Sequence, residues 1–389
     1  MMLPTILCSL SGFFITTHVA TLGLAWARCR PDARRAKGAK GTPPVTVVRP
    51  LCGLESFSSE TIEAAFALDY PSFELLFCVA DANDPIIPLV QAAIARHPEV
   101  AARLLIGDDK ISTNPKLNNM VKGWRHAAHE WIVFIDSNVL TPPAFVRRLV
   151  STFRADTGVV SAPPCGTLPE GFGAHIECAF LNTYEARWQY VVDTFGSGYA
   201  QGKTLFYRKV DLDRSSMRDL AAEPAEDAAT TKMVRRLGMR VRLAPPSPQP
   251  LGVRPFKEVW SRQLRWARLR RATFPLEFLP EILSGAFVPL LVVIATALAM
   301  GWSVPLAILG YFAVWYVAEL LLAVGCRWPV TWQTPFALLT RDALMPALWI
   351  GAFTGRSFTW KGQSIKVDER PRGSRKTIEA AALPSEERV

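Results

Sequence analysis

Apolar residues in the middle of the chain come in short runs, and the stretches between the runs have helical spacing. "VTVVRP" from Val45, "ELLFCVAD" from Glu74, "ARLLIGDD" from Ala102 and "WIVFID" from Trp131 each read as a strand. Between them, Ser58–Leu68, Ile86–His97 and Leu117–His129 repeat apolar positions at the interval of a helix face. Strands that are apolar almost throughout are buried on both sides. Alternating strand and helix predict an α/β domain over residues 45–254, built on a doubly wound, mostly parallel sheet.

Longer apolar runs flank that domain. Leu3–Trp26 is uncharged, and a helix needs about 20 apolar residues to cross a bilayer core. A cleaved signal peptide ending near "AWA" would carry basic residues before the apolar stretch, whereas "RCRPDARRAKGAK" follows it. Residues 1–27 are therefore expected as an uncleaved anchor and 28–44 as a basic linker that holds the next domain on the cytoplasmic side. Ile282–Gly301 and Pro305–Gly325 predict a hairpin of two spans within 281–326, where Glu319 faces a neighbouring helix. Residues 334–355 form a third apolar segment, spanning or interfacial, since Arg341 and Asp342 interrupt it. The tail over 356–389 is polar, and its charged end from Asp368 has the composition of a disordered segment.

Half of the 389 residues are hydrophobic and 12 are tryptophan, which suits a soluble domain tethered to membrane helices. A net charge of +10 fits three partners: nucleic acid, anionic lipid, or a phosphate-bearing substrate. The 7 cysteines are scattered without a CxxC pair, against a disulfide framework or structural zinc and for a reducing compartment. His126 and His129 have no third ligand nearby and read as helix-surface residues.

Candidate chemistry lies at the strand ends. In doubly wound sheets ligands sit at the carboxyl ends of the strands, where Asp81 and Asp136 fall. One such acid is ordinarily a cap or turn residue; two at one edge point to a ligand site. No GxGxxG follows the first strand and no GxxxxGK[ST] occurs, so phosphate has to be neutralised by a cation on carboxylates and by Lys or Arg. "NPKLNN" sets Lys116 at the head of a helix, in reach of such a phosphate. "AEDAATTK" sets Glu226 and Asp227 in a first helical turn, where acids stabilise the helix and where Asp227 also suits a general base. "WSRQLRWARLRR" spaces Arg262, Arg265 and Arg268 along one face of a helix over 255–280. With Trp260, Leu264 and Trp266 it forms a basic amphipathic helix next to the spans, which favours the membrane surface over nucleic acid.

In order, "RPLCGLE", "LDYPSFELLFCVADANDP", "ARLLIGDDKISTNPKLNN", "FIDSNV", "AEDAATTK" and "RQLRW" resemble the ceramide glucosyltransferases, inverting enzymes of the GT-A fold related to cellulose and hyaluronan synthases. The resemblance covers about Val45 to Pro280. It implies that Asp81 contacts the uridine of a UDP-sugar and that Asp136 holds Mg²⁺ or Mn²⁺ against the diphosphate. "DSN" stands where many such enzymes have DxD, so Asn138 takes the place of the second acid and leaves one fewer anionic ligand. Lys116, Arg262, Arg265 and Trp266, the last three in the (Q/R)xxRW signature, fall to the donor side. Glu226 and Gln263 lie near acceptor and diphosphate, and Asp227 is the base for a primary hydroxyl of ceramide. The implied product is a β-glycosylceramide. The basic juxtamembrane run and the lack of an ER signal point to a bacterial inner membrane, with a eukaryotic Golgi face as the alternative. The rival readings are transfer of N-acetylglucosamine or galactose to a hopanoid or diacylglycerol, and a non-catalytic membrane scaffold. A processive polysaccharide synthase would need more spans than the chain offers.

Overall fold

The computed structural model describes residues 2–31, 41–112, 114–213, 217–223, 225–355, 357–360 and 363–366. Most of the basic run, from 32 to 40, and the charged tail from Asp368 lie outside the described residues. The strands are β1 (Val45–Leu51), β2 (Phe73–Val79), β3 (Ala101–Ile106), β4 (Trp131–Ile135), β5 (Thr157–Ser161), β6 (Pro164–Glu170), β7 (Thr204–Arg208), β8 (Arg240–Leu243), β9 (Ser247–Val253), and a C-terminal antiparallel pair, β10 (Ser357–Trp360) and β11 (Gln363–Lys366). Seven of them form one sheet in the order β3-β2-β1-β4-β7-β5-β8. β1 is parallel to β2 and β4, β2 is parallel to β3, and β5 is parallel to β8. Only β7, between β4 and β5, runs antiparallel. The four strands legible in the sequence are β1 to β4. β6 and β9 pair in a separate parallel ribbon.

The helices are α1 (Met2–Cys29), α2 (Ser58–Phe66), α3 (Ile87–Arg96), α4 (Pro115–His126), α5 (Phe145–Thr152), α6 (Gly171–Cys178), α7 (Arg187–Thr194), α8 (Lys209–Asp213), α9 (Glu226–Arg236), α10 (Phe256–Thr273), α11 (Pro275–Phe278), α12 (Phe287–Met300), α13 (Val304–Gly325) and α14 (Thr334–Phe353). Alternate side chains of each strand point to opposite faces, so the sheet carries two cores. Val47, Leu75 and Phe77 pack with Ile62, Val90 and Phe145 from α2, α3 and α5. Val48, Leu76 and Cys78 pack with Leu117, Met120 and Met233 from α4 and α9. A π-helical stretch, Ala179–Ala186, joins α6 to α7 in one continuous helix.

α1, α13 and α14 are each long and apolar enough to cross a membrane, and the segment 275–283 with α12 forms a further pair bent by 46°. Gly301 ends α12 in the left-handed conformation at φ 66°, closing the expected hairpin into α13. Glu319 on α13 does face a neighbour: it accepts from Arg341 of α14 at 2.8 and 2.9 Å. Arg341 also donates to Thr183 of the π-helical stretch at 2.6 Å, and Arg187 of α7 lies 3.7 Å from Glu319. His18 of α1 is 3.2 Å from Arg187. The charges that interrupt the apolar segments thus satisfy one another, as buried ions must, and they bind the long helices to the sheet domain.

α10 is sandwiched between α14 and α6. Val259, Trp260 and Leu264 pack on Ala337, Leu338 and Leu348. Arg268 donates to Thr354 O at 2.7 Å, and Arg270 donates from Nε and Nη2 to Glu281 at 2.8 and 2.9 Å. Much of this helix's positive charge is therefore spent inside the protein.

Candidate active site

Three separate parts of the chain meet at the carboxyl end of β4. Asn114 caps α4 by accepting from the backbone N–H groups of Lys116 and Leu117, which turns Lys116 toward the sheet edge. The Lys116 ammonium lies 2.7 Å from Glu226 Oε1 and 3.7 Å from Asp136 Oδ1, and it donates to Gly202 O at 2.5 Å. Asn114 Nδ2 donates to the other oxygen of Glu226 at 2.9 Å. Asp227 Oδ2 accepts the Gly202 N–H at 2.9 Å, and Oδ1 accepts the Ala228 N–H at 2.7 Å. Asp136, Glu226, Asp227 and Lys116 therefore share one cluster, although Asn114 and Glu226, which bond directly, are 112 positions apart in the chain.

The electrostatics follow from that packing. Burial raises the Asp227 carboxyl to about 6, and the negative charge of Glu226 adds to the rise against the Gly202 donor and Lys116. Burial opposes the charge of Lys116, but Asp136 and then Glu226 hold the ammonium above the ordinary lysine range. A carboxylate near neutrality beside a permanent cation can accept a proton and stabilise an anion in one place.

Residues the sequence reading passed over complete the edge. Arg49 on β1 is buried and donates to the carbonyls of Asp136, Ser137 and Val139, each at 3.1 Å, and to Thr61 O at 3.0 Å. Its guanidinium shapes the "DSN" turn from below. Lys203 donates to Asp136 Oδ2 at 2.5 Å and to Asn138 Oδ1 at 2.8 Å. It immediately precedes β7, and because β7 is antiparallel its first residues lie at the same edge as the last residues of β4. A lysine heading an apolar run was the available signal, but the reversed strand is what gives it meaning.

Other expected residues sit further out. Asp81 is exposed beyond β2, where its Oδ1 accepts the Asn83 N–H at 2.9 Å. It lies on the ligand edge two strands from Asp136, about 10 Å by sheet spacing, and none of its hydrogen bonds reaches the cluster. Arg262 pairs with buried Glu177 at 2.8 Å and is near enough to repel Lys203. Arg265 makes no hydrogen bond or ion pair among the described residues; burial and then Arg262 lower its pKa. Trp266 packs against Cys178, Leu181 and Leu251. Among the described residues no three His, Cys, Asp or Glu side chains form a metal cluster, and His126 instead bonds Lys122 O through Nδ1 at 2.9 Å.

The profile of Glycosyl transferase family 21 matches residues 5–372, nearly the whole chain. The chain belongs to this family. Ceramide glucosyltransferase 1 of Caenorhabditis elegans is 26% identical over 356 residues, covering 88% of this chain and 76% of that protein. Ceramide glucosyltransferase of Komagataella phaffii is 30% identical over 210 residues, 48% of this chain but only 41% of that protein. Among solved structures, a mannosyltransferase from Pyrobaculum calidifontis in complex with GDP-Man and Mn²⁺ has a TM-score of 0.47 at 18% identity, covering 89% of this chain and 97% of that one. Glucosyl-3-phosphoglycerate synthase from Mycobacterium tuberculosis, with Mn²⁺, UDP-glucose and phosphoglyceric acid, has a TM-score of 0.35 at 18% identity, covering 57% and 77%. Likenesses of that size transfer neither donor nor metal to this chain. Family 21 membership and the observed sheet make it a GT-A-like glycosyltransferase with apolar helices at both ends.

In this family 21 chain a second cleft opens between α10, the π-helical stretch and α14. Phe180, Tyr184, Phe278, Met345 and Leu348 give it apolar walls, and Gln263, Arg270 and Glu281 give it polar ones. Glu185 lies near Gln263 and Arg270, and burial raises its carboxyl to about 8, with Glu177 adding to the rise. Gln263 Nε2, Glu185 Oε1 and Glu177 Oε2 are buried without a hydrogen-bond partner among the described residues.

Asp136 and Asn138, the expected metal ligands, both direct a side-chain oxygen at one point. That point is held by the Lys203 ammonium. One carboxylate and one carboxamide, already shared with a lysine, do not accommodate a divalent ion as they stand.

Proposed function

We propose that this glycosyltransferase is a membrane-bound inverting hexosyltransferase that moves glucose from UDP-glucose to the primary hydroxyl of ceramide. The observation that carries this reading is the placement of Asp227 beside Lys116 and Asp136. A base and a phosphate-binding cation at one sheet edge are what a single displacement needs.

In the reaction the acceptor oxygen forms a bond to the anomeric carbon as the bond from that carbon to the diphosphate oxygen breaks. The hydroxyl proton passes to Asp227, and the leaving electron pair goes to UDP. Attack from the face opposite UDP inverts an α-linked donor into a β-linked product. Glu226 and Asn114 fix Lys116, and the Gly202 and Ala228 amides fix the Asp227 carboxylate, so neither group reorganises during transfer. Lys116, Lys203, Arg262 and the otherwise unengaged Arg265 receive the diphosphate, with Arg as the fork-shaped partner of phosphate oxygens. Trp266 holds α10, the helix that carries the two arginines. Asp81, exposed two strands away, takes the uridine in this reading.

The cleft beside α10 supports a lipid acceptor. Its walls are apolar apart from Gln263 and the Arg270–Glu281 ion pair, and helices able to cross a bilayer form its sides. The basic residues after α1 support a cytoplasmic sheet domain, as in a bacterial inner membrane. Membranes containing the chain, given labelled UDP-glucose and ceramide, should yield labelled glycolipid, and Asp227→Asn should abolish it. Undiminished label in that variant removes Asp227 as the base. Label appearing only with UDP-N-acetylglucosamine or UDP-galactose and a hopanoid or diacylglycerol replaces the glucose and ceramide assignments.

A further inference from the structure

We propose that Lys203 is a built-in counter-cation for the donor diphosphate, so that this chain binds its nucleotide and transfers the sugar without a divalent metal. The inference rests on the donor reading above and adds what neutralises the donor.

The geometry comes first. An ammonium has three N–H donors. Two of those on Lys203 are directed at Asp136 Oδ2 and Asn138 Oδ1, at 2.5 and 2.8 Å, which leaves one for an incoming phosphate oxygen. The position is built rather than reached by a wandering side chain. The Asp136 N–H donates to the Lys203 carbonyl at 3.1 Å, so the lysine backbone is fastened to the residue its side chain contacts. Pairing of Ile135 with Thr204 fixes the register on both sides.

Charge makes the two occupants exclusive. Mg²⁺ binds carboxylate oxygen at about 2.1 Å, and an ion at that distance from the same two oxygens would press against the Lys203 nitrogen. Lys116 stands on the other side of Asp136 at 3.7 Å. A dication would then sit between two ammonium groups with one carboxylate and one neutral amide as its protein ligands. The asparagine at 138 fits the alternative. A carboxamide oxygen accepts well from an ammonium but supplies no formal charge to a metal. Two lysines and Arg262 already bring the positive charge that a diphosphate leaving group requires, and Lys203 can donate to the departing oxygen as its bond to the sugar breaks.

The test is titration of UDP into the full chain in detergent, with a metal chelator and then with Mn²⁺, for the wild type, Lys203→Gln and Lys203→Arg. The expected result is wild-type affinity that differs less than about twofold between the two conditions. Lys203→Gln should lose about tenfold or more in chelator, the scale of one charge-assisted hydrogen bond, and regain it with Mn²⁺, because the vacated oxygens are then open to the ion. Lys203→Arg, which keeps the charge, should keep chelator-resistant binding. Wild-type binding that appears only with Mn²⁺ overturns this inference and leaves the donor reading standing. Equal binding by wild type and Lys203→Gln in chelator also overturns it. No UDP binding in either condition overturns the donor reading, and the inference with it.

Discussion

The backbone N–H of Gly202 donates to Oδ2 of Asp227 at 2.9 Å, and the glycine has no room for a side chain. A Cβ at 202 would lie 2.6 Å from Glu226 Oε1, 3.0 Å from Lys116 Nζ and 3.5 Å from Asp227 Oδ2. A single methyl group there touches three of the four groups of the cluster. Gly202→Ala should cost about 1–3 kcal/mol as an overpacking change and lower kcat more than thermal stability would suggest. Transfer assays beside thermal melts check this; unchanged kcat would show that the cluster is not held at its working geometry by this contact.

The raised carboxyl of Asp227 sets an acid limb. A base must be ionised to accept a proton, so kcat/KM should be level above about pH 7 and fall about tenfold per unit below about 6. After burial, the largest cause of the rise is Glu226. Glu226→Gln removes that negative charge, lowers the Asp227 pKa and should move the limb to lower pH. A limb that stays put in Glu226→Gln would assign it to another group.

Glu185 gives a stability slope of opposite character. Its carboxyl is raised from 4.5 to about 8 by burial, with Arg270 opposing and Glu177 reinforcing the rise. Between those values the unfolded chain has released the proton and the folded one still holds it. This group's contribution is therefore full below about 4.5 and is lost as pH rises through about 8. Glu185→Gln should melt at a temperature less dependent on pH over that window than the wild type. Parallel melting curves from pH 5 to about 8.5 would sink the assignment.

The ions among the long helices should behave as a unit. Glu319→Ala leaves Arg187 buried without an ion-pair partner among the described residues and Arg341 with Asp342 alone at 2.8 Å, a loss of about 3–5 kcal/mol. Glu258→Ala, which removes only the exposed partner of Arg254 at 3.5 Å, should cost less than about 1 kcal/mol. Thermal unfolding of detergent-solubilised protein compares the two. Equal small losses would mean that water reaches Glu319.

Legibility in the sequence followed locality. The first four strands, the three helices between them and the long apolar helices are encoded by periodicity within a window of 10–20 residues, and they stand where the pattern put them. Asp136, Lys116, Glu226 and Asp227 were nameable because strand ends and helix starts are local features. The reversal of β7 is set by pairing with β4 and β5 instead. Lys203 therefore carried no sign of its place opposite Asp136. Arg49 was hidden for a related reason: an arginine inside an apolar strand gives no hint that four carbonyl oxygens, one from α2 and three from the turn after β4, await it. Glu177 and Glu185 gain meaning only when α10 closes over them.

One continuous helix, α6 through the π-helical stretch to α7, carries Glu177 just before that stretch and Arg187 just after it. Glu177 grips the guanidinium of Arg262 on α10, while Arg187 reaches Glu319 among the long helices. The widened turn between them sets the angular phase of these two grips. An α-helix advances about 100° per residue, so excising one residue from 179–186 would swing one contact a quarter-turn or more away from the other. The helix works as a torsional gauge, and a chain with the wrong gauge could keep either its bilayer seat or its arginine aim, but not both.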